Sequence, residues 1–477
     1  IGLVILFVGG ALYGKFCERV FHPADRQTPA YRLEDGVDYV PMKKWKNSLI
    51  NLLNIAGTGP ILGPIQGILF GPIAFITIPI GCVIGGAMHD YFSGMLSLRN
   101  DGEQMPALVR RFTNKGIFNI YNIFVTLLMF LVGAVFIYTP GDIAATQLFG
   151  FSGAVNAPST WIIYAVIFLY YLAATVFPID KVIGRIYPVF GAILLFSAIG
   201  VFVGLFTKGY KLDNFTGVIT QDHFIPVFFI TVACGILSGF HSTQTAIIAR
   251  SVNTEKEGRT TFYNMMILEG FIAMIWAAAA MGAYNGGLAT VGETGATAVV
   301  GIVAKDMLGS VGGFLAILGV IVLPITSGDT ALRSARLMIA DWLHIDQKDY
   351  KKRLGLSAVI FAVVAVVLYW SKSNPNGFTI LWRYFAWSNQ TIALFALAII
   401  SIYLIQNRGG FYFLIPLLPG MFYAFVTFSF ICNAKIGFNL PWGLSYALGA
   451  VFAAAYAGVT VWSGKKRAAA NPIQAEA

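Results

Sequence analysis

The sequence predicts an all-α polytopic membrane protein with about thirteen transmembrane helices. The first observation is composition: 57% of the 477 residues are hydrophobic, 11% are charged, and the mean hydropathy is +0.72. A soluble domain of this length would carry about 25% charged residues. The second observation is that two long apolar segments, 47–69 and 224–248, are interrupted by glycine, proline or small polar residues, which a regular helix does not accommodate well.

The apolar segments have about the length that crosses a bilayer as a helix. They cover residues 1–19, 47–69, 72–97, 117–138, 159–178, 183–206, 224–248, 262–284, 310–326, 355–370, 378–405, 411–432 and 441–462. We interpret residues 1–477 as one membrane domain. Its parts are a peripheral helix (1–19), a first five-helix repeat (47–206), a second repeat (224–405) and two accessory helices (411–462).

The distribution of basic residues predicts the topology. If the loop after the first segment is cytoplasmic, most Lys and Arg residues lie on that side, as the positive-inside rule requires. The exceptions on the opposite side are Lys208, Lys211, Lys305, Lys372 and Lys435. We therefore expect an outer N-terminus and a cytoplasmic C-terminus in the plasma membrane of a prokaryote. The formal net charge of +10 then reflects topology, and no nucleic-acid partner is expected.

The four cysteines lie in or beside apolar segments without a CxxC pair, so neither disulfides nor a metal site is expected. We expect no cofactor. Because the chain begins at Ile1 within an apolar segment, we expect residues before it. A cleaved signal peptide is not expected, since the segment leads directly into a charged loop.

The first interruption reads N-I-A-G-T-G-P-I-L-G-P-I-Q over residues 54–66. An unpaired backbone group in hydrocarbon costs several kcal/mol, so such a break is tolerated only inside protein or beside a wet cavity. The pattern therefore indicates a binding site. The alternative is a Gly- and Pro-rich helix packed closely against its neighbours.

The second interruption reads A-C-G-I-L-S-G-F-H-S-T-Q-T-A. Each interruption opens a set of five spans, and because five is odd, the second set must run inverted relative to the first. Paired interruptions of this kind mark the substrate site of secondary transporters. The substrate-binding candidates are Gly57, Thr58, Gly59, Pro60, Gln66, Ser238, Gly239, His241, Ser242 and Gln244.

A carboxylate in L-P-I-T-S-G-D-T-A-L-R is the leading candidate for cation or proton coupling. Asp329 has hydroxyl neighbours that favour a small cation, whereas a buried carboxylate near a histidine favours protons. A pairing of Asp329 with Arg333 on the same helix face is the structural alternative. The coupling candidates are Asp329, Thr326, Ser327, Thr330 and Glu269; Glu269 alternatively anchors a structural hydrogen bond. We expect proton coupling, with sodium as the alternative.

Three further ionisable residues lie within apolar segments and are candidates for gating. His89 and Asp90 lie near the inner end of the third segment, where a polar latch between helices is the alternative. Arg383 lies in L-W-R-Y-F-A-W, where an aromatic interface group would also hold a snorkelling arginine.

Several motifs together resemble those of the carbon starvation protein A (CstA) family. They are T-P-A-Y-R-L-E-D-G-V-D-Y-V-P, I-A-G-T-G-P-I-L-G-P, H-D-Y-F-S-G-M-L-S-L-R-N-D-G, S-G-F-H-S-T-Q, L-P-I-T-S-G-D-T-A-L-R-S-A-R and L-W-R-Y-F-A-W-S-N-Q. The resemblance covers about residues 20–432. This chain reads S-L-I-N-L-L-N where several relatives have a His-His pair.

The resemblance implies the inverted-repeat, LeuT-like fold of the amino acid, polyamine and organocation superfamily. It also implies uptake of pyruvate or peptides during nutrient limitation. We therefore expect a non-enzymatic symporter that imports a small nutrient bearing a carboxylate. One alternative is an intramembrane aspartyl protease with Asp90 and Asp329 as its dyad, although 326–329 reads T-S-G-D and no Tyr-Asp pair occurs. A passive channel is less consistent with the sequence, because no ring of like charges lines a predicted pore.

Overall fold

A computed structural model describes residues 1–36, 38–176, 180–212, 220–288, 294–346 and 349–470. Side chains at 175, 176, 180–188, 190, 326, 329 and 330 lie outside this description. Within the described residues all regular secondary structure is helical. The predicted all-α class is confirmed.

The long helices follow the predicted apolar segments in order. They are α1 (2–21), α2 (Lys44–Ile55), α3 (Gly59–Gly67), α4 (Ala74–Arg99), α5 (Lys115–Leu148), α6 (Pro158–Val176), α7 (Asp180–Thr207), α8 (Ala233–Ile236), α9 (Gly239–Ala249), α10 (Glu255–Asn285), α11 (Ala296–Trp342), α12 (Tyr350–Ser373), α13 (Gly377–Asn407), α14 (Leu414–Asn433) and α15 (Trp442–Ala470). Short helices also occur at Pro29–Arg32 and Met105–Phe112.

In the part of the chain that is described, eight helices are long and apolar enough to cross a membrane. The count is nine if α2 and α3 form one bent span. Shorter apolar helices lie at Pro158–Ala174 and Gly191–Thr207. The chain is thus a polytopic helical protein, and the number thirteen stays a prediction.

Helix α11 is longer than the predicted segment 310–326. It extends over Ala296–Trp342 and contains one non-helical residue, Gly309, with φ 68° and ψ −169°. A side chain is strongly disfavoured at this positive φ, so glycine marks the point where two helical stretches meet. The candidate coupling residues consequently lie well inside a helix, away from its ends.

The interior is formed by α3, α5, α10, α11 and α13. Helix α5 packs against α11 and α13, and α10 packs against α3.

Helix α1 lies at the periphery of the bundle. It exposes Val4, Val8 and Leu12, as expected for a surface in contact with lipid.

The loop that follows α1 contacts the start of α10 through Glu255. This fully buried carboxylate accepts hydrogen bonds from the Ala24 amide at 2.8 Å and from Arg99 Nη2 at 2.9 Å. Arg26 Nε lies 3.3 Å from the same carboxylate. Contacts of Ala24 and Arg26 with this buried carboxylate therefore hold the predicted first cytoplasmic loop against the helical bundle.

Candidate functional site

The first interruption separates α2 from α3, whose axes differ by 48°. Helix α2 ends at Ile55, and α3 begins at Gly59 with Thr58 as its N-cap residue. Pro60 lies in the first turn of α3, where its missing N–H group breaks no helical hydrogen bond. The helix is thus interrupted at 56–58, within the predicted stretch 54–66, whereas Gly59 and Pro60 are already helical.

The second interruption separates α8 from α9. Leu237 and Ser238 have extended backbone angles (φ/ψ −154°/128° and −133°/118°) and are buried. Buried backbone groups outside a helix need other partners. Asn389 of α13 supplies one, because its Oδ1 accepts from the Phe240 amide at 2.7 Å and from the Ser238 hydroxyl at 3.2 Å. The predicted interruption is confirmed at 237–238.

The two interrupted segments contact each other through three glycines spaced four residues apart on α3. A Cβ atom added at Gly59 would overlap Cys234 Cβ, and one at Gly63 would lie 2.9 Å from the Thr231 carbonyl oxygen. Gly67 makes a similar close contact. Small residues at this spacing let helices approach at backbone distance. The glycines of the first interruption therefore serve close packing as well as unwinding.

A cluster of four buried ionisable side chains lies beside the second interruption. His241 is in the first turn of α9, His89 and Asp90 belong to α4, and Glu269 belongs to α10. His89 Nδ1 lies 2.8 Å from Asp90 Oδ1, and His241 Nδ1 lies 2.9 Å from Asp90 Oδ2. His241 Nε2 lies 3.4 Å from Glu269 Oε2. All four side chains are 0% exposed, so this His–Asp–His–Glu cluster is closed to solvent.

The arrangement fixes where hydrogens can reside. An ionised carboxylate only accepts hydrogen bonds, so each histidine donates from Nδ1 to Asp90. The Nε2 atom of a neutral His241 is then an acceptor that faces Glu269. The two atoms attract each other only when one proton lies on the ring or on the carboxyl group. The cluster can therefore take up or release a proton without a change of partners.

Several cluster atoms have no hydrogen-bond partner within the described residues. They are Nε2 of His89, Nε2 of His241 and both oxygens of Glu269. A buried polar atom left unpaired costs about 1–3 kcal/mol. Buried polar atoms that stay unpaired despite this cost are typical of a functional site. Here they lie where α4, α9 and α10 meet.

The remaining substrate-binding candidates are buried around the interruptions. Gln66, Gln244 and Ser242 donate within their own helices, at 3.1, 3.1 and 2.6 Å. Thr58 is 0% exposed, and its hydroxyl has no partner in the part of the chain that is described. Their roles stay predictions.

The coupling candidates on α11 are described only in part. Thr326, Asp329 and Thr330 belong to α11, but their side chains lie outside the described residues. Ser327 donates to the Leu53 carbonyl oxygen at 3.4 Å and so links α11 to the end of α2. Among the coupling candidates whose side chains are described, Glu269 is the one that reaches the His–Asp–His–Glu cluster.

The gating candidates lie in two different environments. His89 and Asp90 are part of the buried cluster. Arg383 is 31% exposed and forms an ion pair with Asp222, in the loop that precedes the second interruption. This is a partner within the protein that the sequence analysis did not identify.

The protease alternative gains no support from this geometry. Both oxygens of Asp90 are engaged by histidine rings, whereas an aspartyl dyad requires two carboxyl groups that share a proton. Asp329, the proposed partner, has its side chain outside the described residues.

Asn389 supports the second interruption but was not predicted as a site residue. It lies in the quoted motif W-S-N-Q, and an asparagine within a 31-residue apolar helix is a signal that could have identified it. Asn47, Asn51 and Asn54, which recur at helical spacing on α2, were not among the predicted site residues either.

A family profile and several named relatives identify one family. The profile described as carbon starvation protein CstA matches residues 1–151, 142–298 and 276–430. An uncharacterized membrane protein of Haemophilus influenzae is 40% identical over 334 residues, covering 59% of this chain and 90% of that protein. Peptide transporter CstA of Escherichia coli is 24% identical, covering 91% and 81% of the two chains, and that of Bacillus subtilis is 24% identical, covering 90% and 88%.

Among solved structures, the fold is similar to that of a manganese transporter of Eremococcus coleocola, solved as a mutant. The TM-score is 0.57 at 12% identity, with 89% of this chain and 96% of that chain covered. At this identity the likeness concerns the fold alone.

Proposed function

Because the chain belongs to the carbon starvation protein CstA family, we propose that it is a secondary transporter that imports a small carboxylate-bearing nutrient, pyruvate or a peptide, by proton symport. Its relatives in Escherichia coli and Bacillus subtilis carry the name peptide transporter CstA. The fold it shares with a manganese transporter is consistent with solute transport. It acts as a transporter and not as an enzyme, in the plasma membrane of a prokaryote with its C-terminus in the cytoplasm.

The observation that carries this proposal is the closed His–Asp–His–Glu cluster beside the second interruption. A symporter must bind its proton at a site that is sealed from both sides at one stage of the cycle. The cluster meets this requirement, since all four side chains are fully buried. The proton resides between His241 and Glu269, the one pair in the cluster whose attraction depends on it.

The two interruptions support a substrate site between the repeats 47–206 and 224–405. The first turns of α3 and α9 place the positive ends of two helix dipoles at the interruptions, which suits a carboxylate. His241 lies in the first turn of α9, so a bound carboxylate and the bound proton would be neighbours. Their charges then favour each other's binding, which is the thermodynamic basis of symport.

The test is counterflow and gradient-driven uptake in proteoliposomes. Labelled pyruvate and labelled L-alanyl-L-alanine are offered with an outside-acid pH gradient, with a sodium gradient at constant pH, and with neither. We expect accumulation of one of these substrates only with the pH gradient. Accumulation that requires sodium would refute proton coupling, and hydrolysis of peptide without uptake would refute transport.

A further inference from the structure

Helix α2 carries a stripe of polar side chains on a buried face. Asn47, Asn51 and Asn54 recur at intervals of four and three residues and so lie on one side of the helix. Thr58 follows at the first interruption. The four residues, called the asparagine stripe below, are 0%, 0%, 6% and 0% exposed. Lys44–Ile55 is therefore a helix whose buried side is polar.

The stripe has more hydrogen-bonding capacity than the described residues satisfy. The Asn51 amide nitrogen donates to the Thr261 carbonyl oxygen at 2.8 Å, which leaves its oxygen as a free acceptor. The side-chain oxygens of Asn47 and Asn54 and the Thr58 hydroxyl also have no partner in the described ranges, and nor has the Asn47 amide nitrogen. The unsatisfied groups are thus mainly acceptors.

We infer that the asparagine stripe binds the N–H groups of a peptide substrate on its way to or from the first interruption. This inference rests on the proposed function and deepens it by assigning residues that would contact the peptide. Amide oxygens accept and cannot donate, so their ligand must carry donors. A peptide offers amide N–H and ammonium groups, whereas pyruvate carries only acceptors.

The dimensions of the stripe suit a short peptide. From Asn47 to Asn54 the helix rises by about 10 Å at 1.5 Å per residue. An extended peptide spans at most about 3.6 Å per residue. The three asparagines therefore extend over about three residues of an extended peptide. Because the stripe is buried against its neighbours, α2 must separate from them for the peptide to enter.

At Asn47 a binding role and a merely structural role predict opposite changes in the unfolding temperature. Neither atom of its amide group has a partner within the described residues, so Asn47→Leu removes buried unpaired atoms at nearly constant size. This variant should raise the unfolding temperature of the purified protein and lower peptide uptake. A structural asparagine would instead lower both when replaced.

The decisive experiment combines variants of the stripe with a change in the peptide. Uptake of L-alanyl-L-alanine is compared with uptake of its analogue methylated on the amide nitrogen, which lacks that donor. In the wild type we expect methylation to lower uptake about tenfold, the value of roughly one hydrogen bond. In Asn54→Leu or Asn51→Leu we expect uptake of the unmodified dipeptide to fall about tenfold and the effect of methylation to disappear in at least one variant.

The matched control is Asn122→Leu. Asn122 is also buried in a helix, α5, but its amide donates to the Phe118 carbonyl oxygen of the same helix at 2.9 Å. This variant should retain the tenfold discrimination against the methylated dipeptide.

The outcomes distinguish a failure of this inference from a failure of the proposed function. If stripe variants lower uptake of both dipeptides equally, or leave both unchanged, the stripe does not bind the peptide N–H and the inference fails. Uptake of pyruvate with no dipeptide uptake refutes the inference but leaves the transporter assignment intact. If the wild type transports nothing, the proposed function fails, and thermal stabilisation by the dipeptide in detergent decides the inference. If the dipeptide stabilises the protein and this effect is lost on methylation or in Asn54→Leu, the result supports peptide binding by the stripe. If the dipeptide does not stabilise the protein, the inference is refuted.

Discussion

His241 Nε2 faces Glu269 Oε2 at 3.4 Å, and neither side chain is exposed to solvent. On the opposite side of the ring, Nδ1 lies 2.9 Å from Asp90. One imidazole thus stands between two carboxyl groups supplied by two different helices. A proton bound there alters the attraction between α9 and α10, so protonation and helix packing are coupled.

Replacing Glu269 tests the proton site. Glu269→Gln keeps the size of the side chain but cannot carry an exchangeable charge. We expect accumulation driven by a pH gradient to be lost while exchange of bound substrate in counterflow persists, because exchange requires no net proton movement. Glu103→Gln, which affects a partly exposed ion pair with Arg111, should leave both activities unchanged. Retained pH-driven accumulation in Glu269→Gln would assign the proton elsewhere, with Asp329 as the remaining candidate.

Replacing Asn389 tests the support of the second interruption. In Asn389→Ala the Phe240 amide and the Ser238 hydroxyl lose their partner, and we expect a loss of about 1–3 kcal/mol in the free energy of unfolding. Denaturant unfolding in detergent measures it. Asn407→Ala is the control, since that amide is exposed and donates within its own helix, and its cost should stay within about 0.5 kcal/mol. Equal costs for the two variants would contradict the assigned role of Asn389.

A methyl group at Gly59 tests the contact between the interruptions. In Gly59→Ala the new Cβ would overlap Cys234 Cβ, and overpacking of this kind costs about 1–3 kcal/mol. We expect a lower unfolding temperature, which Cys234→Gly should partly restore by removing the opposing Cβ. Gly458→Ala serves as control, because no heavy atom lies within 4 Å of that position on α15. An unchanged unfolding temperature in Gly59→Ala would show that the segments are not packed so closely.

Removing the carboxylate of Glu255 should release the loop after α1. Glu255→Ala leaves the partly buried Arg99 without its carboxylate partner, and breaking a buried ion pair costs about 3–5 kcal/mol. Trypsin added to inside-out vesicles should then cleave after Arg26 much faster than in the wild type. Lys256→Ala, which breaks an exposed pair with Asp25, should change the rate little, as expected for a surface ion pair. Cleavage only in right-side-out vesicles would invert the predicted topology.

The sequence predicted the helical class and both interruptions because these depend on local chemistry. Glycine, proline and small polar residues within an apolar segment act on the backbone at their own position, so Gly57, Pro60 and Ser238 mark the interruptions directly. Residues 239–242 complete a helical turn once Leu237 and Ser238 have become extended.

Which residues form the site could not be predicted from local sequence in the same way. Asp90, His241 and Glu269 each appeared as a single ionisable residue in an apolar segment, and their meeting depends on how α4, α9 and α10 pack. Sequence reasoning therefore placed Asp90 with gating, His241 with substrate and Glu269 with coupling. Asn389 was missed because it acts on the backbone of a helix about 150 residues earlier.

The cluster also has a consequence for the order in which the chain is made. Asp90 and His241 are 151 residues apart, and at about 5–20 residues per second the ribosome needs roughly 8–30 s to synthesise that interval. During this time α4 is complete, but Asp90 has only His89 of the same helix as a partner. The adjacent histidine is thus the first member of the cluster able to donate a hydrogen bond to Asp90, before the rest of the site has been synthesised.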